Sequence, residues 1–409
     1  MEKSILKNKN IILLWVGHLI SHAGDSIYMI ALPWLILDLT GSKSTTSLTT
    51  ASGYLPAILF GLIAGSIADK YPRKYVMITS DILRSFFVAF VPILLITGRA
   101  TSLLIGMITF IVASLATPFY PARDSLIPDL VSPGQLTSAN TIISTSGQMA
   151  HLLGPFLAGI LVATVGITHL FTIDALSFSV SLICISFLKP SGQSMSESRP
   201  QTYTQSVKSG ILFITKRKDI ESLILITAVN NFFIMGLAII GIPVYVREIL
   251  DNQFSTLAIL ETSMAAGMVL GSVIIWKFLS GISPVKILLT GIILDGLTYC
   301  LIYFTHTSYI AYFFLFVHGI GIPMITISRT LIIQFSIENK YLGRIFSLVN
   351  MSVMGTTTVS VVAMGFILEW IHVQWIFLIF GLLAAGCSVL GLFSKSFMKL
   401  KFLSNLNLL

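Results

Sequence analysis

The segment Gly65-Ser66-Ile67-Ala68-Asp69-Lys70-Tyr71-Pro72-Arg73-Lys74 joins two apolar runs, 46–67 and 75–97, each long enough to cross a bilayer. It sets one carboxylate, Asp69, among three cations, Lys70, Arg73 and Lys74, at the end of a helix. Gly65 lacks the Cβ that would keep a neighbouring helix away, and Pro72 suits the first turn of the helix that follows. An acid and a basic cluster at the edge of a helix bundle make a latch that can break and re-form.

Outward from this loop, comparable runs recur at 11–37, 46–67, 75–97, 102–121, 138–163, 169–188, 221–246, 255–278, 285–305, 308–333, 343–370 and 374–394, which predicts twelve spans. Only 10% of the 409 residues are charged and 55% are hydrophobic, with a mean hydropathy of +0.90. Too little polar surface remains to keep such a chain in water, so lipid is its solvent. The first run follows Lys3, Lys7 and Lys9 but is too long for a signal-peptide core.

The net charge of +8 is explained by topology rather than by nucleic acid. With the N-terminus cytoplasmic, the outer loops hold Lys43, Arg99 and Arg247, whereas about twenty Lys and Arg fall on the inner side. Both termini are then cytoplasmic. The long polar stretch 189–219 separates six spans from six and reads as a linker between two bundles, 1–188 and 220–409.

The halves also repeat. Gly61-xxx-Gly65-Ser66 matches Gly267-xxx-Gly271-Ser272 at 267 − 61 = 206 residues, and Arg123 matches Arg329 at 329 − 123 = 206. A constant offset of half the chain indicates two six-helix bundles of the same orientation, parallel repeats about the membrane normal. The expected fold is all-α, with twelve transmembrane helices in two bundles.

The loop at 65–74 closely resembles the signature between the second and third helices of the major facilitator superfamily, with Pro72 in place of the usual second glycine. The resemblance implies gating roles for Gly65, Asp69, Arg73 and Lys74. Further stretches are similar to the drug/proton antiporter group typified by macrolide-efflux exporters, which also includes siderophore exporters: Trp15-x-Gly17-x-x-Ile20-Ser21-x-x-Gly24-Asp25, Glu261-x-Ser263-x-Ala265-x-Gly267 and Tyr341-Leu342-Gly343-Arg344. Ala150-x-x-x-Gly154-Pro155-x-x-Ala158-Gly159 resembles the antiporter motif of drug exporters. It implies a kinked helix-packing face at Gly154, Pro155 and Gly159, and export rather than uptake. The bacterial inner membrane is the implied location.

A charge inside a bilayer costs roughly 2.5–3.5 kcal/mol on insertion scales, so acids within the spans mark candidate sites. His18, His22 and Asp25 lie at i, i+4 and i+7 on one face of the first helix. At the 206 offset Asp25 faces Asn231, although Pro33 and Pro243 differ by 210. Glu261 and Asp295 are further intramembrane acids, the latter on a span that the resemblance makes peripheral. Two readings of each stay open: proton exchange in a wet cavity, or a hydrogen-bonded group that serves packing. The same choice holds for His151 and His318.

Asp81 and Arg84, at i and i+3, are expected to pair with each other or with the loop latch. Arg123 and Arg344 mark the inner edge as gating candidates. With no Lys or Arg among the mid-span acids, the expected substrate is a neutral or cationic amphiphile. Trp15, Trp34, Trp370 and Trp375 near run ends read as interfacial anchors. Cys184, Cys300 and Cys387 read as packing residues without metal spacing.

No phosphate-binding Gly-x-x-x-x-Gly-Lys-Ser/Thr loop and no nucleophile–base spacing occurs, which excludes a built-in ATPase and gives no sign of an enzyme or cofactor. The expectation is a monomeric secondary transporter with small molecules, protons and lipid as partners. It exports amphipathic drugs by alternating access and proton antiport, or, by the same fold, a siderophore or other metabolite. From a different class, a non-transporting membrane sensor remains open.

Overall fold

The computed structural model describes residues 5–189, 215, 217–279 and 281–393. The chain is nearly all helical and divides into two compact units, Met1–Ser198 and Arg199–Leu409. Among the described residues, ten helices are long and apolar enough to cross a membrane. Residues 190–214 and 216, which carry most of the expected linker, lie outside the described residues, as does the basic tail from 394.

The first unit holds α1 (Lys9–Thr40), α2 (Lys43–Ala51), α3 (Leu55–Lys70), α4 (Arg73–Ile96), α5 (Ser102–Ala116), α6 (Phe119–Leu126), α7 (Leu136–Val165) and α8 (Ile167–Ser186). Helix α1 is opened by Asn8, whose side chain accepts from the Asn10 and Ile11 N–H groups, and closed by Gly41 at φ 64°. The second expected span is not one helix. It breaks at Ser52-Gly53-Tyr54 into α2 and α3, where Ser52 Oγ donates to Thr49 O at 2.6 Å and lies 3.0 Å from Gly106 O. Pro56 then starts α3.

The second unit holds α9 (Lys218–Gly236), α10 (Ile242–Glu248), α11 (Phe254–Phe278), α12 (Pro284–Ile302), α13 (Ser308–Ser336), α14 (Asn339–Trp370) and α15 (Val373–Phe393). A π turn at Leu237–Gly241 joins α9 to α10, the kind of widened turn that accommodates an inserted residue.

Each unit pairs its helices in the same way. In the first, α1 packs on α7 and α8, α4 on α5 and α8, and α2 and α3 on α5. In the second, α9 packs on α14 and α15, α12 on α13 and α15, and α11 on α13. Lipid offers no hydrophobic gain for helix association, so close backbone approach carries more of the packing. A Cβ at Gly267 would come closer than 3.0 Å to Phe316 O, and one at Gly319 closer than 3.0 Å to Met264 O. Within the first unit a Cβ at Gly65, or at Gly61, would meet nothing within 4 Å among the described residues. The packing faces at Gly154 and Pro155 are buried, and a Cβ on Gly154 would lie 2.5 Å from Ser26. Gly159 is half-buried.

Trp370 and Trp375 are exposed, as anchors should be, but Trp34 is buried in α1 with its neighbours from Ala31 to Leu37. The three cysteines are free and buried.

Candidate functional site

The stripe expected on α1 exists, and it is the axis of a polar cluster inside the first unit. His18 and His22 stand edge to face with ring centroids 5.0 Å apart. His22 continues to His151 of α7 at 5.7 Å and to Tyr120 of α6 at 6.1 Å. Asp25, one turn further along α1, meets a cation: Arg84 Nη2 of α4 lies 2.5 Å from Asp25 Oδ1.

Arg84 pairs with Asp81 as expected, with 3.8 Å between Nη1 and the carboxylate, and more closely with Asp25 of another helix. A different expectation is corrected. The acids do not stand apart from arginine, so their sign alone does not select a cationic substrate. The physical reason is the expense of an unpaired charge in an apolar bundle: a guanidinium 3% exposed is tolerable only beside a carboxylate. Arg84 also stacks over the Phe178 ring, 4.0 Å from its centroid.

Arg123 leaves the edge position and turns inward. Its Nη1 lies 2.8 Å from His18 Nε2, while Nε and Nη2 hold Asp124 at 2.8 and 2.7 Å. A guanidinium only donates, so Nε2 must present its lone pair and His18 is held neutral with its proton on Nδ1. Asp174 of α8, buried and bonded by Ser177 Oγ at 3.4 Å, is an acid that the sequence reading passed over. The signal was present, since it interrupts the apolar run 169–188.

The loop cations bind within their own unit. Arg73 Nη1 donates to Ser125 O and Asp129 Oδ2, each at 2.8 Å. Lys74 Nζ caps the end of α8 at Ser186 O and Leu188 O, 2.8 and 2.9 Å away. The side chains of Asp69 and Arg344 lie outside the described residues.

The second unit buries a different set. Asp295, expected to be peripheral, is 2% exposed, and its Oδ2 accepts from Asn230 Nδ2 at 3.0 Å. Its Oδ1 is 3.3 Å from His318 Nδ1. None of the hydrogen bonds or ion pairs among the described residues involves the half-buried Glu261.

Asn231 does not occupy the place of Asp25. Its Nδ2 reaches Val353 O, Thr356 Oγ1 and Thr357 Oγ1 on α14 at 3.2, 2.9 and 2.9 Å. The contacts of small residues give the register: Gly154 abuts Ser26 in one unit, Ser360 abuts Gly236 in the other. The α7–α14 offset is 360 − 154 = 206, but the α1–α9 offset is 236 − 26 = 210, in agreement with Pro33 and Pro243. By that register Asp25 corresponds to Met235 (25 + 210 = 235).

Chemically, these groups can bind, hold and release protons and pair with charge. Among the described residues no group of three His, Cys, Asp or Glu is placed to hold a metal ion.

The family description "Transmembrane secretion effector" matches residues 3–405. Macrolide efflux protein A of Streptococcus pyogenes is 23% identical over 344 residues, 82% of this chain and 83% of that protein. The multidrug efflux pump Tap of Mycobacterium tuberculosis is 29% identical over 219 residues, 52% of each. The fold is shared with a bacterial homologue of the human lysosomal transporter Spinster in an inward-facing, unoccupied conformation, at a TM-score of 0.74 and 15% identity over 98% of this chain and 99% of that one. A bacterial homologue of the iron transporter ferroportin, inward-facing, gives 0.73 and 16% over 95% and 99%. The chain therefore belongs to the transmembrane secretion effector family of the major facilitator superfamily, and it is a multi-pass membrane transporter rather than an enzyme.

Proposed function

We propose that the protein exports amphipathic small molecules, drugs among them, by proton antiport through alternating access of its two bundles. The observation that carries this reading is Arg84 standing between two carboxylates inside one bundle, 2.5 Å from Asp25 and 3.8 Å from Asp81. A proton arriving on Asp25 cancels its charge and releases the guanidinium toward Asp81, 3.8 Å away. One proton thus exchanges the partner of a cation that ties α4 to α1. The relatives named for macrolide and multidrug efflux support drugs as cargo.

In this reading the split second span (α2 and α3) and the shorter apolar helix Val373–Val389 complete twelve spans, and both termini are cytoplasmic. The bundles are 1–188 and 220–409, joined by 189–219. Gly65, Asp69, Arg73, Lys74, Arg123 and Arg344 serve gating, while His22, His151 and Glu261 line the route of substrate or proton. The protein works as a monomer in the bacterial cell membrane.

Drug-susceptibility profiles of a deletion strain, with and without a protonophore, test the cargo. Hypersensitivity to a macrolide or to ethidium that the protein reverses, and the protonophore abolishes, is expected. An unchanged profile sinks drug efflux. In proteoliposomes Asp25→Asn should lose flux driven by a pH gradient while keeping substrate exchange; normal coupling in that variant removes Asp25 from the mechanism.

A further inference from the structure

We propose that His318 and Asp295 form a second proton-carrying site, wholly inside the second unit, with the mobile proton on His318 Nε2. The proposal rests on the proton-coupled reading above but shares no residue with the Asp25–Arg84 pair.

Three oxygens surround His318 Nδ1: Thr298 Oγ1 at 3.1 Å, Asp295 O at 3.3 Å and Asp295 Oδ1 at 3.3 Å. Thr298 has one hydroxyl proton, and two carbonyls of its own helix, Leu294 O at 2.8 Å and Asp295 O at 2.9 Å, lie nearer to it than the ring does. The hydroxyl therefore turns a lone pair to the ring, and all three neighbours of Nδ1 are acceptors. Nδ1 carries a proton in every state, so the charge of the imidazole changes at Nε2.

Asn230 of α9 holds the other carboxylate oxygen at 3.0 Å, which keeps the acid aimed at the ring. The Tyr299 ring lies parallel to the imidazole, with centroids 4.3 Å apart and planes 8° from parallel, a face that favours a cation. Of the other packed helices, α11, which packs on α13, carries the half-buried acid Glu261. Helix α15 meets α12 through Gly381 and Ala385 against Gly296, with no charge at that contact.

The proton balance is simple. Without the mobile proton the pair is a carboxylate and a neutral ring, net −1. A proton from water on Nε2 makes it a carboxylate and an imidazolium, net zero. The loaded site is thereby suited to enclosure in an apolar bundle, and the empty one to contact with water. His18 shows the opposite arrangement: Arg123 occupies its Nε2 at 2.8 Å and blocks that position.

Two measurements test this. In protein labelled with ¹⁵N-histidine and held in lipid nanodiscs, ring-nitrogen spectra should show His318 with Nδ1 protonated throughout and Nε2 gaining a proton on acidification. His318→Gln identifies the signal, and the isosteric Asp295→Asn does so if His318→Gln fails to insert. A His318 ring carrying its neutral-state proton on Nε2, or ring shifts constant from about pH 5 to about pH 9 across its ordinary range, overturns the proposal. In proteoliposomes with the potential clamped at zero, one pH unit should sustain an ethidium gradient of about 100-fold if two protons exchange per cycle, and about 10-fold in His318→Gln. The same null point in both overturns the second site. Absence of pH-driven flux in the wild type would instead overturn the antiport reading, and the spectra would still decide the state of His318.

Discussion

The second and eighth spans carry the same Gly-xxx-Gly-Ser motif, yet among the described residues of its own unit only the eighth uses it to touch a neighbour. At Gly267 and Gly271 of α11 the carbonyls of Phe316 and Ile320 on α13 come so near that no Cβ fits, and Gly319 on α13 is equally close in return. At the repeat positions of the first unit a Cβ on Gly61 or Gly65 meets nothing within 4 Å among the described residues of that unit. The neighbours explain it. Phe60 stands edge to face with Phe110 of α5, ring centroids 6.0 Å apart, so bulky rings fill the contact of α3 with α5, whereas the second unit has Ala266 at the position of Phe60 and Gly319 at that of Ala113. A small residue permits approach, but the residues on both sides decide whether it happens. The first unit makes its close approaches elsewhere, at Gly154 against Ser26, and adds a charge tie between α1 and α4 through Asp25 and Arg84.

The contrast can be broken most sharply at Arg84. Arg84→Gln leaves two carboxylates of the bundle, Asp25 and Asp81, without their cation and should destabilise the protein by about 3–5 kcal/mol, read as a lower melting temperature in detergent. Adding Asp25→Asn should recover part of that loss; no recovery would mean that Arg84 acts through packing alone. Next in size, Gly267→Val forces a side chain against backbone and should cost about 1–3 kcal/mol, with aggregated material on size-exclusion chromatography. Lys74→Gln removes the cap on the last carbonyls of α8 and should cost about 1 kcal/mol, visible as faster hydrogen exchange near Ser186. Smallest is Gly65→Ala, expected within about 0.5 kcal/mol of the wild type. If it melts as low as Gly267→Val, the two spans are not different after all.

Much of this was legible from periodicity and composition. Apolar runs located the helices, and spacing on one helix placed His18, His22 and Asp25 on a shared face. What joins different helices was not. Arg84 is 59 positions from Asp25, and nothing local says which acid it will meet. Asn230 and Asn231 are adjacent in sequence but about a hundred degrees apart around a helix, so one faces Asp295 and the other α14. The break in the second span had a local signal in Gly53 and Pro56, but hydropathy averages over it.

The two offsets have a consequence for how the halves are to be compared. Between Pro33 and Gly61 there are 28 steps, between Pro243 and Gly267 only 24. One half is thus four residues longer than the other in this stretch, about one helical turn. An alignment of the halves without a gap in this stretch pairs Asp25 with Asn231, a false match. With the gap it pairs Asp25 with Met235, so the two halves do not share an acid at this place.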